Sequence, residues 1–184
     1  MSKGKLFVIS GASGVGKSTV LKQVMEQRKD LTFSVSATTR QPRPGEVDGV
    51  SYYFISREEF EQRIARGEFL EYDEHHAVFY GTLNSQILEK QEHSHVILDI
   101  EPNGAFNIRK ARPDATLIFI MPPSREELER RLRSRGDTSE EQIIIRMARA
   151  DWEMEQSAKY DHVVINDQVE TCAEQILKII ADKA

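Results

Sequence analysis

The segment that decides the fold is Gly11-Ala12-Ser13-Gly14-Val15-Gly16-Lys17-Ser18, which matches the pattern G-x-x-x-x-G-K-[ST]. It follows an apolar run and precedes a stretch of helical period. Glycines let such a loop turn its backbone N–H groups inward toward a polyphosphate, and the positive end of the following helix adds to the attraction. The context predicts a nucleoside triphosphate site, with Lys17 on the β- and γ-phosphates and the Ser18 hydroxyl on Mg²⁺.

Other kinds of Gly-rich loop fit this segment less well. A turn that binds nothing is the plainest alternative, and the flanking strand and helix disfavour it. A dinucleotide-binding loop would need a third glycine where the chain has Thr19. A Ras-type GTPase would carry Asn-Lys-x-Asp, and the nearest stretch, Ala158-Lys159-Tyr160-Asp161, lacks the Asn. A helicase or transport ATPase is usually larger than 184 residues, so a small phosphotransferase is favoured.

Composition excludes several classes of protein. The 184 residues, 39% of them apolar, can build one domain with a real core, and no apolar run reaches the length of a membrane span. The apolar run before Gly11 is too short for a secretory signal, and the single cysteine, Cys172, has no partner for a disulfide, so we expect a cytoplasmic protein. A net charge of -5 argues against nucleic acid as a partner.

The alternation of short apolar runs with helical segments predicts an α/β fold around a mainly parallel sheet. Ser56, Ser124 and Ser139 each precede a Glu or Gln by three residues, which marks three helix starts as capping boxes. Predicted strands are Lys5 to Ser10, Phe33 to Ala37, His95 to Ile100, Thr116 to Met121 and His162 to Ile165. Predicted helices are Lys17 to Arg28, Ala105 to Ala111, Glu126 to Arg135, Glu140 to Ser157 and Glu170 to Asp182.

The middle of the chain, Thr39 to Gly81, differs from this pattern and reads as an inserted lobe. It is rich in proline, glycine, tyrosine and carboxylates. Two strands, Ser51 to Ile55 and Glu68 to Glu74, are predicted on either side of a helix from Arg57 to Arg66 that ends at Gly67.

Arginines in a proline-stiffened loop suggest where an acceptor phosphate would bind. Arg40 and Arg43 lie on either side of Pro42, at a spacing suited to a fork around a monophosphate. They could instead be solvated surface charges. Tyr52 and Tyr80 could donate hydrogen bonds to the same phosphate, although a tyrosine in such a lobe is more often part of a core.

The chain resembles guanylate kinases over essentially its whole length. The residues that carry the resemblance, besides the Gly11 to Ser18 loop, are Ser36 to Glu46, Tyr52, Gly67-Glu68-Phe69-Leu70-Glu71, Tyr80-Gly81-Thr82, Asp99, Arg133-Ser134-Arg135-Gly136, Arg146 and Val164-Ile165-Asn166-Asp167. The resemblance implies a P-loop nucleoside-monophosphate-kinase fold. It divides the chain into a core (1–37, 82–124 and 159–184), a GMP-binding lobe (38–81) and a helical lid (125–158).

The resemblance also implies the reaction, Mg²⁺-dependent transfer from ATP to GMP, and to dGMP, in purine nucleotide metabolism and GMP recycling. The implied ATP-binding residues are Gly11, Ala12, Ser13, Gly14, Val15, Gly16, Lys17, Ser18, Thr19, Asn166 and Asp167. The implied GMP-binding residues are Ser36, Arg40, Arg43, Tyr52, Glu71, Tyr80, Thr82, Asp99 and Glu101. The implied catalytic residues are Lys17, Arg40, Arg43, Arg135 and Arg146.

Physical chemistry supports the assignment of Glu71 to guanine. Guanine presents N1–H and an exocyclic amine side by side, so one carboxylate can accept from both, whereas adenine has a bare acceptor at N1. A site built this way can reject the wrong base by roughly 10⁴- to 10⁵-fold. Without the Glu68-Phe69-Leu70 context, Glu71 would read as a solvated edge charge.

Asp99 ends an apolar strand, where ligands of parallel sheets bind. It could orient Mg²⁺ through water or contact the acceptor ribose and phosphate. The next residues depart from the family pattern, because Pro102-Asn103 stands where a Gln is expected before Gly104. We therefore assign no family role to Asn103, whereas Asp99 and Glu101 keep the positions that the family pattern gives them.

The remaining charged motifs allow two interpretations. Gly136 permits a hinge that would bring Arg135 and Arg146 onto the phosphates. Arg130 and Arg133 instead fit a helix surface that carries many charges of both signs, and we place Arg149 on the surface as well. Asn166-Asp167 is also an ordinary turn sequence. His75-His76 and His93-x-His95 match no metal-site spacing and are interpreted as surface imidazoles.

Two alternative functions stay open at the level of sequence. Guanylate-kinase-like domains also serve as peptide-binding scaffolds, against which the intact Lys17, Ser18, Arg135 and Arg146 argue. A related kinase could phosphorylate another nucleotide or a ribose phosphate, against which Glu71 and Thr82 argue.

Overall fold

A computed structural model of the protein describes residues 3–75, 77–134 and 139–184. The strands among these residues are β1 (Leu6–Gly11), β2 (Leu31–Phe33), β3 (Ala37–Thr38), β4 (Tyr53–Phe54), β5 (Phe69–His75), β6 (Val78–Leu83), β7 (His95–Asp99), β8 (Thr116–Met121) and β9 (His162–Ile165). The α-helices are α1 (Lys17–Gln27), α2 (Arg57–Ala65), α3 (Asn84–Lys90), α4 (Pro102–Ala111), α5 (Arg125–Arg133), α6 (Glu140–Glu155) and α7 (Val169–Lys183). A short 3₁₀ helix covers Gln156–Lys159.

The chain forms two compact units. Unit 1 consists of Met1–Leu6 and Asp30–Ala115, and unit 2 consists of Phe7–Lys29 and Thr116–Ala184. No helix in the described ranges combines the length and the apolar character needed to cross a membrane.

Unit 2 is built on parallel strands. β8 pairs in parallel with β1 on one side and with β9 on the other. Residues Phe7 to Ile9 of β1 and Leu117 to Ile120 of β8 are fully buried, as in parallel strands that are covered on both faces. The predicted phosphate-binding loop, Gly11 to Ser18, lies at the carboxyl end of β1, and Asn166 follows the carboxyl end of β9. Ligand-binding residues of parallel sheets usually lie at such ends.

Unit 1 contains a parallel pair and a second sheet. β2 pairs in parallel with β7, and the second sheet has the order β4-β3-β6-β5, in which β6 runs antiparallel to β3 and β5. Three phenylalanines fill the core under this sheet, because the ring of Phe60 on α2 stacks on Phe69 at 4.2 Å and on Phe79 at 5.0 Å between centroids. Aromatic burial of this kind stabilises a lobe too small for a large aliphatic core.

Most of the predicted strands and helices are confirmed. The errors lie in unit 1, between the parallel pair β2 and β7 and the sheet that contains β3 and β6. The predicted strand from Phe33 to Ala37 is wrong, because β2 ends at Phe33 and β3 begins at Ala37. The chain leaves the parallel pair and enters the second sheet here, where Ser36 O accepts from Tyr53 N–H at 2.9 Å. β6 and α3 were not predicted.

The helix boundaries follow from their caps. Side chains of Ser56, Ser124 and Ser139 each accept a hydrogen bond from the backbone N–H three residues on, at 3.1 to 3.3 Å, which confirms the three predicted helix starts. At the end of α2, Gly67 N–H donates to Ile64 O, and the next N–H donates to Arg63 O. This pair of bonds is a Schellman motif, and it ends the helix at the predicted place.

Candidate active site

The phosphate-binding loop of unit 2 has the backbone that its glycines permit. Gly14 and Gly16 have φ of +89° and +93°, in the left-handed region that side chains disfavour. Gly16 caps α1, so Lys17 and Ser18 occupy its first turn. A Cβ on Gly14 would also approach Leu132 Cδ2 to 2.5 Å. The N–H groups at the start of α1 are therefore presented as an anion site.

One side of the loop is held through the carbonyl of Val15. Asn166 Nδ2 donates to Val15 O at 2.7 Å, and Arg131 Nη1 donates to the same oxygen at 3.4 Å. Arg131 also donates to the carbonyls of Asn166, at 3.0 Å, and Asp167, at 3.4 Å. The predicted Asn166-Asp167 turn is thus bonded to the loop, and Arg131, which the sequence did not single out, links the two.

One polar atom of the Asn166 side chain is buried without a hydrogen-bond partner among the described residues. This atom is Oδ1, and the side chain as a whole is buried. An unpaired buried acceptor is costly unless a ligand or water satisfies it. The structure thus provides an acceptor beside the phosphate-binding loop.

The other side of the loop is held by α6. Ser13 N–H donates to Glu153 Oε2 at 2.7 Å, and Arg149 Nε donates to Glu153 Oε1 at 3.1 Å. Glu153 is only 4% exposed, so a buried carboxylate contacts the loop directly. Sequence reasoning missed Glu153 and placed Arg149 on the solvated surface; Arg149 is indeed 45% exposed, but it is bonded to this carboxylate.

Three further arginines of α5 and α6, namely Arg130, Arg133 and Arg146, differ in their ion pairing. Arg130 and Arg133 are ion-paired to glutamates of their own helix, which confirms the predicted charge-laced surface. Arg146 on α6 is half-buried and has no ion-pair partner within residues 3–75, 77–134 and 139–184. Arg135 and the Gly136 hinge lie outside the described residues.

The donor set fits a magnesium ion that is held mostly by its substrate. Among the described residues, no group of three or more His, Cys, Asp or Glu side chains is arranged to hold a metal. Mg²⁺ commonly takes one or two protein oxygens and completes its shell with phosphates and water. Ser18 is exposed in the first turn of α1 and offers such an oxygen.

The predicted acceptor-phosphate residues of unit 1 lie together. The guanidinium carbon of Arg40 is 5.4 Å from the ring centroid of Tyr52, and the rings of Tyr52 and Tyr80 are 6.0 Å apart. Burial raises the pKa of Tyr52, so its hydroxyl stays available as a donor at neutral pH. Arg43 is exposed on the same loop.

A carboxylate that the sequence did not single out organises this arginine loop. Glu46 accepts from Arg40 Nη1 at 2.9 Å and Nη2 at 2.8 Å, and from Arg43 N–H at 2.7 Å. Glu46 N–H donates to Arg43 O at 3.0 Å across Pro44 and Gly45, the pattern of a type II turn, with a φ of +87° at Gly45. Arg40 holds the pKa of Glu46 down to about 2, so this bidentate pair persists at all physiological pH values.

A buried carboxylate lies in the second sheet of unit 1. Glu71 on β5 is 7% exposed, and Thr82 Oγ1 on β6 donates to its Oε1 at 2.7 Å. A Cβ on Gly104 of α4 would lie 2.9 Å from Glu71 Oε2, so the glycine leaves this oxygen accessible. The alternative of a solvated edge charge is therefore wrong for Glu71.

The remaining residues predicted to bind GMP are more exposed than Glu71. Asp99 is exposed at the end of β7, and Glu101 is exposed just before α4. Both have hydrogen-bond or electrostatic partners, as has Lys17 on the loop of unit 2. Ser36 is half-buried between β2 and β3. Pro102 is the first residue of α4, a position that favours proline, which explains why a proline is tolerated where the chain departs from the family pattern. Asn103, the next residue, is exposed.

The histidines form no metal cluster with other described residues. His93 is exposed as predicted, whereas the surface interpretation of His95 is wrong, because its side chain is 18% exposed and its Nδ1 accepts from Lys5 N–H at 3.0 Å. His76 and the side chain of His75 lie outside the described residues.

Comparison with known proteins decides the family. The guanylate kinase family model matches residues 3–183. The guanylate kinase of Trichormus variabilis is 48% identical over 95% of this chain and 88% of its own length, and that of Caldanaerobacter subterraneus is 46% identical over 97% and 87%. The crystal structure of guanylate kinase from Anaplasma phagocytophilum covers 99% of this chain and 87% of its own, with 33% identity and a TM-score of 0.80. The chain belongs to the guanylate kinase family.

Membership of the guanylate kinase family confirms the predicted fold class and the predicted activity. The α/β fold with a mainly parallel sheet agrees with the structural neighbour. The activity is that of a nucleoside monophosphate kinase, which transfers a phosphoryl group from ATP to GMP. The alternative of a kinase for a different acceptor is therefore set aside.

Proposed function

We propose that unit 2 holds ATP and unit 1 holds GMP, and that the residues predicted from the sequence act in the transfer. On the ATP side these are the loop from Gly11 to Thr19, with Asn166 and Asp167. On the GMP side these are Ser36, Arg40, Arg43, Tyr52, Glu71, Tyr80, Thr82, Asp99 and Glu101. The predicted division into core, GMP-binding lobe and lid, and the cytoplasmic location, belong to the same proposal.

The chemistry needs positioning and charge neutralisation. The phosphate of GMP is already an anion at neutral pH, so no side chain has to remove a proton from the nucleophile. Lys17 neutralises the transferring group of ATP, together with Arg135 and Arg146, while Arg40 and Arg43 hold the acceptor phosphate. Mg²⁺, with Ser18 as its protein ligand and Asp99 acting through water, would supply further charge neutralisation on the phosphates.

The observation that carries the choice of GMP is the buried Glu71 carboxylate. Thr82 satisfies one oxygen, and Gly104 leaves space at the other. Guanine offers two adjacent donors to such a group, and AMP offers none at the same position. A panel of GMP, dGMP, AMP, UMP and ribose phosphates, assayed for ATP-dependent phosphorylation, tests the proposal. We expect GMP and dGMP to be preferred by at least 10³-fold, and equal rates with AMP would overturn it.

The substitution Gly104→Ala tests the space beside Glu71. The added Cβ would lie 2.9 Å from Glu71 Oε2 and 3.3 Å from Ile100 Cδ1, so the carboxylate must shift. We expect the KM for GMP to rise about tenfold, roughly 1.4 kcal/mol, while the KM for ATP changes less than twofold. Lys110→Ala, at an exposed position of the same helix, is the matched control. An unchanged KM for GMP would show that the Gly104 space is not used.

The pH dependence of GMP binding follows from Glu71. Burial raises the pKa of Glu71 from 4.5 to about 7, against a smaller opposing effect of the Thr82 hydroxyl. Only the ionised carboxylate accepts from both guanine donors, so GMP binding should release protons near pH 7. Calorimetry of GMP binding in buffers of different ionisation enthalpy measures this release, and we expect Glu71→Gln to reduce it to the part that comes from the GMP phosphate, whose second pKa is about 6. Identical proton release in wild type and variant would contradict the prediction.

The raised pKa of Glu71 also makes the free energy of unfolding depend on pH. GMP binding favours the ionised carboxylate, whereas the folded protein without GMP favours the protonated one. Without GMP, the folded protein keeps a proton on Glu71 between pH 4.5 and about 7, whereas the unfolded chain has lost it. The contribution of Glu71 to the free energy of unfolding is therefore fully present below pH 4.5 and is lost as the pH rises through 7. Urea unfolding of wild type and Glu71→Gln from pH 5 to 8 should show this decline only in wild type.

A further inference from the structure

The carboxylate of Glu153 is an unusual neighbour for a phosphate-binding loop. It is 4% exposed, it accepts from Ser13 N–H at 2.7 Å, and it carries the same sign of charge as the nucleotide the loop would bind. A buried carboxylate near a polyanion is unfavourable unless its own bonds compensate for it. The hydrogen bonds that compensate for this buried charge therefore indicate the function of Glu153.

Both oxygens of Glu153 are used. Oε2 accepts from the Ser13 N–H of the loop, and Oε1 accepts from Nε of Arg149, one turn earlier on α6. A carboxylate supplies two charge-assisted acceptors, whereas a glutamine supplies one oxygen for two donors. The chemistry of the site therefore requires the acid.

The position of Glu153 on α6 connects the loop to an arginine predicted to act in the reaction. Arg146, Arg149 and Glu153 are spaced i, i+3 and i+7, so they share one face of the helix. The other side of the loop is fixed separately, because Asn166 and Arg131 hold Val15 O. The bond to Ser13 thus ties the loop to the face of α6 that carries Arg146.

We propose that Glu153 is a positioning residue, whose carboxylate holds the Ser13 N–H and thereby fixes the phosphate-binding loop against the face of α6 that carries Arg146. The proposal rests on the proposed function, in which this loop binds ATP and Arg146 contacts its phosphates. A displacement of about 1 Å between a loop and a catalytic arginine is enough to slow a transfer strongly. Glu153 acts through the loop and not by substrate contact, because its two oxygens already accept from Ser13 N–H and Arg149 Nε.

Glu153→Gln tests the proposal with little change in shape. We expect kcat/KM for ATP to fall about 10- to 100-fold, because one of the two donors loses its acceptor. GMP affinity, measured by calorimetry without ATP, should stay within twofold. Glu155→Gln, at an exposed position two residues further on, is the matched control and should behave like wild type. A kcat/KM for ATP within twofold of wild type, or an equal loss of GMP affinity, would overturn the proposal.

A double variant separates positioning from general stability. In Glu153→Gln/Arg149→Met, Arg149 no longer competes with Ser13 N–H for the single glutamine oxygen, and the net charge is that of wild type. We expect recovery to within about threefold of wild type, and no recovery would overturn the proposal. Loss of stability alone would not be reversed by removing a second hydrogen-bonding partner.

The wild-type protein provides two further controls. Its GMP phosphorylation is measured first, and an absence of activity would refute the proposed function rather than the role of Glu153. Hydrogen exchange at the Ser13 amide needs no variant. Strong protection without nucleotide is expected, and exchange at the rate of an exposed loop amide would overturn the proposal even if Glu153→Gln failed to fold.

Discussion

Replacing Lys17 by alanine should reduce kcat by about 10²- to 10³-fold while the fold is retained. Lys17 occupies the first position of α1, directly after the left-handed Gly16, so its ammonium group is carried on the anion-binding end of the helix. As charge shifts between the phosphates, loss of one preorganised cation raises the barrier by roughly 3 to 4 kcal/mol. A coupled assay of ADP release at saturating ATP and GMP measures the effect.

The control for Lys17→Ala is Lys22→Ala, at an exposed position of the same helix. It removes the same charge from unit 2 without touching the loop, so it should keep turnover within twofold of wild type. Near-normal turnover of Lys17→Ala would remove Lys17 from the mechanism. Equal losses in both variants would show that the overall charge of the unit, and not the position of Lys17, matters.

The loop and the strands of unit 2 were predictable because their signals are local. Gly14 and Gly16 are required by positive φ values, and the apolar runs of β1 and β8 reflect burial on both faces. The three serine caps were likewise readable, because each bond joins residues three positions apart. Such features depend on neighbours in the sequence, which the sequence displays directly.

The contacts that tune the site were not predictable, because they join distant residues. Glu153 contacts Ser13 across 140 positions, and Arg131 contacts Val15 across 116. Each of these side chains lies in a helix that is rich in charged residues, where the sequence pattern is that of a solvated surface. Glu46 was missed for a different reason: its turn was visible as Pro44-Gly45, but its pairing with Arg40 depends on how the loop closes.

β3 and β6 show the same limit at the level of the fold. β3 has only two residues and pairs with β6 more than forty positions later, so no periodicity can reveal it. Yet β6 carries Thr82, which completes the environment of Glu71. Family resemblance supplied Thr82 as a predicted site residue, and the structure shows that its hydroxyl donates to Glu71.

Replacing Glu71 by glutamine should reduce kcat/KM for GMP by about 10²- to 10³-fold and change that for ATP by less than threefold. A glutamine keeps an oxygen for one guanine donor but turns an amide N–H₂ toward the other, so one hydrogen bond is lost and a donor faces a donor. The Thr82 hydroxyl can still donate to the remaining oxygen, so the fold should be retained. Steady-state kinetics with each substrate varied in turn measure the two effects.

The same variant should also weaken discrimination between bases, which distinguishes base reading from a structural role. The new amide N–H₂ can donate to N1 of adenine, whereas the original carboxylate leaves that position unpaired. The ratio of kcat/KM for GMP to that for AMP should therefore fall by more than the loss on GMP alone. Glu92→Gln, an exposed change of the same chemistry in unit 1, should leave the ratio unaltered. Equal losses for ATP and GMP, with an unchanged ratio, would mean that Glu71 supports the sheet and does not read the base.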